Sequence, residues 1–416
     1  MSRHDPAYPS RNHNVHGPGS LQSVSVRMIG KHYRTGMPIE VKVREGRITA
    51  ITAIPVVSGI EGLPPAGHLP WLAPGLVDLQ VNGGWGLDLN TAPLSPNTVL
   101  QLTRKLQSQG VTSYCPTLIT NSAARLAEGA SVIAKAVRLY PDAAEGIAGI
   151  HLEGPFLSPE DGPRGAHPRQ HIVPPDWEAF SRWQEAAEGL IRIITLSPEW
   201  PGAASFIARC SESGILVSIG HTAATAEQIR EAVAAGAVMS THLGNGTHLT
   251  LSRHPNYLWE QLAADELHGC MIADGHHLPD SVLAVILRMK RNRAILVSDA
   301  VSLSGMPPGS YHLHIGGDVV LTPEGRLHLA GQRQLLAGSA MMLPDQVGHL
   351  VEAGLAGLAD AWDCASVHPA RLLGLEQAAG LEVGAPADIV SFHMEGGKLS
   401  LLQCWKKGQI SPQSRE

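Results

Sequence analysis

The sequence has no CxxC pair, no long stripe of lysine and arginine, and no apolar run approaching the about eighteen residues that span a bilayer. Each absence removes a class of function. The five cysteines, Cys115, Cys210, Cys270, Cys364 and Cys404, are odd in number and far apart, which argues against a disulfide framework and for reduced thiols in the cytoplasm. With 31 Lys and Arg scattered among 37 Asp and Glu, a net charge of −6 offers no electrostatic footprint for nucleic acid or an anionic membrane. The expected partner is a small molecule, for which one or two local cations suffice. The opening MSRHDPAYPSRNHNVHGPGS lacks the apolar stretch of a secretory signal. Residues 1–20 are expected to form a disordered polar extension in which His4, His13 and His16 are solvated. What is present, 416 residues at 44% hydrophobic and 16% charged, supports a sizeable core in one large domain accompanied by a small one.

Short β-type runs (SVSVRMI, IEVKVRE, RITAITAIP) fill residues 22–56, separated by turn signals such as Glu45-Gly46. The same texture returns after about residue 380, in ADIVSFHMEGGKLSLLQCWKKG, with a hairpin turn at Glu395-Gly-Gly397. The two ends are expected to pair into a small β-sandwich domain built from residues 21–73 and 375–416. Between them, at 74–374, short apolar runs alternate with amphipathic helical stretches. Strands are expected near 76–81, 111–117, 146–152, 190–196, 215–220, 237–242, 268–273 and 294–298, with helices at 122–138, capped by Asn121, and at 224–235, capped by Thr222 or Thr225. Eight βα units closing on themselves make an α/β TIM barrel. Residues 309–331 break the rhythm with a hairpin around Thr322-Pro-Glu-Gly325, read as an insertion after the eighth strand with no legible function.

Chemistry in such a barrel sits at the carboxyl ends of the strands. There the sequence places His151-Leu-Glu153-Gly-Pro155, Gly220-His221-Thr222, Thr241-His242-Leu243, Asp274-Gly-His276-His277 and Ser298-Asp299-Ala300. One Glu and two His form a common three-ligand set for a catalytic divalent ion, and Asp299 is then the base. In the first strand, GLVDLQVNG, Gln80 and Asn82 share a face directed at the barrel mouth, with Asp78 one step deeper to orient them. Amides are poor metal ligands beside imidazole or carboxylate, so one ion is expected, with Gln80 and Asn82 hydrogen-bonding water or substrate. Zinc heads the candidates for that ion. Iron, cobalt and manganese remain open alternatives.

Metal-dependent hydrolases of the amidohydrolase superfamily characteristically carry His-x-His in that first strand, and this sequence resembles them with amides in its place. The segments PGLVDLQVNGGWGLDLN, GIHLEGPFLSPEDGPRGAHP, SIGHTAATAEQIREAVAAGAVMSTHLGNG, IADGHHLP, LVSDA, LLAGSA and SVHPARLLGLEQAAGLEVGAPADIVSF, in this order from residue 74 to 392, resemble the N-acetylglucosamine-6-phosphate deacetylase family. The resemblance implies hydrolysis of the N-acetyl group of an amino sugar phosphate by a homodimer. It implies metal ligation by Glu153, His221 and His242, acid–base catalysis by Asp299, and contact of His167 with the acyl carbonyl. It also places Ala166, Asn245, Gly246, His277, Ala337 and Gly338 against the sugar or its phosphate, and gives Arg253 the phosphate, often across a dimer interface. The stretch after His242, GNGTHLTLSRHPNYLWEQL, departs from the family with bulkier residues and with His248 and His254. A different N-acyl hexosamine phosphate, an unphosphorylated sugar, or another amidohydrolase reaction such as cyclic-amide hydrolysis therefore remain alternatives.

Overall fold

A computed structural model describes residues 26–55, 68–313 and 317–411; the expected extension at 1–20 lies outside them. Eight strands, Leu76–Val81, Val111–Ile119, Ile150–Glu153, Ile191–Leu196, Leu216–Ile219, Ala237–Ser240, His268–Met271 and Ala294–Leu296, stand side by side in sequence order. Every neighbouring pair in that row is parallel, as βα repetition requires. Their interior packs Val77, Leu79, Cys115, Ile193, Met239, Cys270, Ile295 and Val297 into one apolar plug, so the barrel is filled rather than hollow.

The first and eighth strands close the barrel by an irregular seam. Asp299 N–H donates to the Gln80 carbonyl at 3.0 Å and Asn82 N–H to the Ala300 carbonyl at 2.8 Å. Lower down a side chain does the work of a backbone carbonyl: Asp78 Oδ1 accepts from Gln80 N–H at 3.2 Å and Ser298 N–H at 3.1 Å. Burial pushes the Asp78 carboxyl up to about 7, against those hydrogen bonds.

Helix starts follow local capping chemistry. The helix Ala123–Leu139 is capped by Ser122, whose hydroxyl accepts from Arg125 N–H, and not by Asn121, whose side chain instead accepts from Ser122 N–H. Ala226–Ala234 is capped by Thr225 in a reciprocal box with Gln228. Thr222 is spent elsewhere, accepting from Ala224 N–H at 3.0 Å.

The chain ends meet in one seven-stranded sheet. It contains Val26–His32, Pro38–Arg44, Arg47–Ala53 and Trp71–Pro74 from the N-terminal side, with Ile389–Glu395, Lys398–Lys406 and Gln409–Ile410 from the other. This sheet locks onto the barrel through Trp362, fully buried, which stacks on Phe392 at 4.5 Å between ring centroids and donates Nε1–H to the Pro74 carbonyl. The insertion after strand eight is larger than one hairpin: Gly309–Leu313, Gly317–Leu321, Leu327–Leu329 and Gln332–Leu336 make a four-stranded antiparallel sheet. No described helix is long and apolar enough to cross a membrane.

Candidate active site

At the carboxyl end of the barrel, one side-chain atom from each of Glu153, His221 and His242 lies within 4.8 Å of the others, and all three residues are buried. Nε2 of His221 and of His242 lie 3.3 and 3.1 Å from Glu153 Oε1, and 3.1 Å from each other. His221 Nδ1 sits 2.8 Å from the Pro163 carbonyl, which can only accept, so that nitrogen carries the proton and Nε2 presents its lone pair to the cluster. Lone pairs of imidazole crowded against a carboxylate oxygen repel one another unless a positive charge joins them. The donor set therefore fits a divalent cation, with Glu153, His221 and His242 as its holders.

Backbone geometry marks the same place. His221, His242 and Asp299 all have positive φ, at 49°, 26° and 47°. For residues with a Cβ this costs about 1–3 kcal/mol each, and such strain collects where geometry serves chemistry. The loop after strand six relieves crowding with Gly246, at φ 59°, where an added Cβ would lie 2.7 Å from His221 Nδ1.

Around the cluster, Gln80 Nε2 donates to Glu153 Oε1 at 2.8 Å and to Asp299 Oδ1 at 3.0 Å, and Asn82 Nδ2 donates to the same Asp299 oxygen at 2.8 Å. Gln80 thus spends its amide on two carboxylates of the protein, a role the sequence reading had reserved for water or substrate. Asn82 keeps Oδ1 buried and unpartnered beside the cavity. Burial and the charge of Glu153 push Asp299 up to about 6, opposed by His242, His277 and the Asn82 bond. His167 Nδ1 meets the Thr120 hydroxyl at 3.0 Å and its Nε2 faces His221 at 3.3 Å; burial, then the neighbouring His221, push its pKa down to about 3, so it is neutral.

A cavity of about 480 Å³ opens over these groups. It is lined by Asn82, Glu153, Ala166, His167, His221, His242, Asn245, Gly246, His277, Asp299, Ala337 and Gly338, so the structure brings together all but two of the residues singled out from sequence. Gln80 lies behind the wall. Arg253 is exposed and outside the lining. Sequence reasoning assigned nothing to Asp274, Thr120 or Arg326. Asp274 accepts both His276 and His277 N–H at 2.9 Å on Oδ1 and holds His277 Nδ1 at 2.7 Å on Oδ2, leaving His277 Nε2 for the cavity. Burial would raise Asp274, but the His277 hydrogen bond and charge keep it well below the usual carboxylate range. Its place in Asp-Gly-His-His, three residues before His277, was the signal available.

Comparison with known proteins agrees with this arrangement. Residues 71–410 match the amidohydrolase family. The N-acetylglucosamine-6-phosphate deacetylase of Bos taurus is 34% identical over 361 residues, 82% of this chain and 85% of that protein. The N-acetylgalactosamine-6-phosphate deacetylase of Escherichia coli O157:H7 is 30% identical over 89% of this chain and 94% of its own length. A Mycobacterium smegmatis N-acetyl-D-glucosamine-6-phosphate deacetylase variant, solved in complex with N-acetyl-D-glucosamine-6-phosphate, superposes with a TM-score of 0.79 at 29% identity, covering 92% of this chain and 99% of that one. The strand-end glutamate and histidines, a facing carboxylate and this likeness along most of the sequence place the chain in the N-acetylglucosamine-6-phosphate deacetylase family of the amidohydrolases.

Proposed function

We propose that the protein hydrolyses the acetamide of N-acetylglucosamine 6-phosphate to acetate and glucosamine 6-phosphate. The observation that carries this reading is Asp299, a carboxylate raised to about 6, facing the Glu153–His221–His242 cluster across one cavity. A divalent ion held by Glu153, His221 and His242 would supply Lewis acidity and a more acidic water. One ion per subunit is the reading; zinc suits a Glu-His-His set, and iron, cobalt or manganese suit it according to supply.

The chain's own residues divide the remaining work. Asp299, fixed by Gln80 and Asn82, accepts the proton of the water that attacks the acetamide carbon and returns it to nitrogen as the C–N bond breaks. A carboxyl poised near neutrality serves both directions. Neutral His167, steadied by Thr120, donates to the carbonyl oxygen as charge gathers there. His277, braced by Asp274, and Asn245, whose Nδ2 is buried without a partner, offer donors to the sugar or its phosphate. Gly246, Ala166, Ala337 and Gly338 keep the wall low enough for a pyranose ring.

The subunits form a homodimer in this reading, with the exposed Arg253 reaching the phosphate site of the partner copy. All five thiols are buried and unpaired, which suits the cytoplasm. The likeness to an N-acetylgalactosamine-6-phosphate deacetylase favours one second reading, the galacto epimer as substrate. Acetate release from a panel of N-acetylglucosamine and N-acetylgalactosamine, each with and without 6-phosphate, on enzyme loaded with a defined metal, tests both. Turnover of none of them would sink the deacetylase assignment.

A further inference from the structure

We infer that the sheet inserted after the eighth barrel strand supplies this chain's own cation for the anionic end of the substrate, through Arg326. The inference rests on the deacetylase reading and extends it to a residue that recognises the phosphate.

Among the described residues that line the cavity, Arg326 is the only Lys or Arg, and three acidic side chains, Asp88, Glu153 and Asp299, share the lining with it. The divalent ion proposed at Glu153, His221 and His242 offsets the carboxylates at the hydrolytic end, so a phosphomonoester dianion at the other end of the substrate needs a cation of its own there. The guanidinium is not already neutralised: among the described residues no carboxylate pairs with it. Its Nη2 donates to the Arg333 carbonyl at 2.9 Å, while Nε–H is buried with no acceptor. A charged fork of five donors with one bond made is poorly satisfied by the protein alone, and phosphate oxygens match its remaining geometry.

The mounting is rigid. Arg326 N–H donates to Thr322 Oγ1 at 3.2 Å, Thr322 N–H donates back to the Arg326 carbonyl at 2.9 Å, and Gly325 N–H closes the turn on the Thr322 carbonyl. The turn is in turn joined to the loop after strand seven, where His276 Nε2–H donates to the Glu324 carbonyl at 3.1 Å. Arg326 and His277 are therefore held on one frame, one on the inserted sheet and the other at the barrel end. Arg253, exposed and outside the lining, could act only from another copy.

The test measures kcat and KM by acetate release for N-acetylglucosamine with and without 6-phosphate, on metal-loaded wild type, Arg326→Met and Arg326→Lys. A lost charge-assisted phosphate contact should lower the phosphorylated-to-unphosphorylated ratio of kcat/KM by about tenfold to hundredfold, chiefly through KM, with Lys restoring part of it. The thermal shift given by glucosamine 6-phosphate should shrink in Arg326→Met alongside. A ratio within twofold of wild type, or equal losses on both sugars, overturns the inference and leaves Arg326 as a staple for the Arg333 carbonyl. Wild type that turns over both sugars without favouring the phosphorylated one overturns it too, whereas wild type inactive on both overturns the deacetylase reading with it.

Discussion

Two groups of buried charge lie at opposite ends of the barrel, and they differ in how completely they are satisfied. At the floor, Asp388 and Lys406 pair at 2.8 Å with side chains 2% and 9% exposed. Asp388 Oδ2 also accepts Gln377 Nε2–H at 2.6 Å, Oδ1 accepts Lys407 N–H at 2.8 Å, and Gln377 donates onward to Ser113. Asp388, Lys406 and the Gln377 amide nitrogen each have a partner there. At the mouth, two imidazole nitrogens crowd one carboxylate oxygen, while His242 Nδ1, Asn82 Oδ1 and Asn245 Nδ2 are buried without partners, and three key residues have positive φ. Buried polar groups thus serve as a staple where they are closed upon themselves and as a site where they are left open to something else.

Variants at the mouth should cost activity, not fold, and should separate its two carboxylates. Removing a ligand, as in Glu153→Gln, is expected to abolish both turnover and stoichiometric metal. Asp299→Asn should lower kcat by about 10²- to 10⁴-fold while metal content stays at wild-type level. Elemental analysis beside acetate-release kinetics distinguishes them. Full activity in Asp299→Asn would end its role as proton carrier, and loss of metal there would merge two functions that the geometry keeps apart.

The floor should respond the opposite way. Asp388→Asn strands Lys406 in a buried position and is expected to destabilise by about 3–5 kcal/mol, with kcat per folded molecule unchanged. Replacing both partners by apolar residues, Asp388→Leu with Lys406→Met, should recover part of that loss but not all, because Gln377 Nε2–H and Lys407 N–H lose the acceptor that Asp388 gave them. Denaturant titration of the two variants decides it; a double variant no better than the single would show that the pair does more than staple the sheet to the barrel.

How much of this was legible in sequence follows from which contacts are local. Strand ends read directly: βα alternation puts Glu153, His221, His242 and Asp299 each at its own terminus, and the structure gathers them within one cavity. Gln80 was legible as polar and inward but not as spent, because its acceptors, Glu153 and Asp299, lie 73 and 219 residues away. The Asp78 seam joins Asp78 to Ser298, 220 residues further on, a contact that alternation within a strand does not encode. Arg326 was hidden by a similar cause, since its hairpin becomes a cavity wall only through the four-stranded sheet and the docking of Glu324 on His276. The cap at Ser122 rather than Asn121 is a one-residue contest between two good capping residues, settled by which hydroxyl or amide reaches Arg125 N–H.

A smaller effect is expected one step back from the chemistry. Asp274→Asn keeps an acceptor for the two backbone N–H groups but removes the charge that fixes His277, so we expect a loss in kcat/KM of about tenfold, with stability nearly unchanged. Asp274→Ala should lose the loop as well and melt earlier. Equal kinetics in Asp274→Asn and wild type would reduce that aspartate to a turn residue and move it to the floor's side of the comparison.

The mildest prediction uses pH and returns to the floor. His268, at the start of strand seven, lies against the Val238 carbonyl at 3.1 Å, and burial is the main cause that pushes its pKa down to about 4, with Arg293, His368 and Lys290 adding to it. Between that value and the ordinary histidine range near 6.5, the unfolded chain binds a proton that the folded chain refuses. Stability contributed by neutral His268 is therefore complete above about 6.5 and is lost as pH falls toward 4. His268→Gln, which keeps a donor for Val238 and has no charge to gain, should flatten the decline of melting temperature across that window while leaving neutral-pH kinetics alone. A slope as steep as in wild type would mean that acid loosens the protein through its open mouth first, and the contrast between a closed floor and an open site would extend from hydrogen bonding to the order in which the two ends fail.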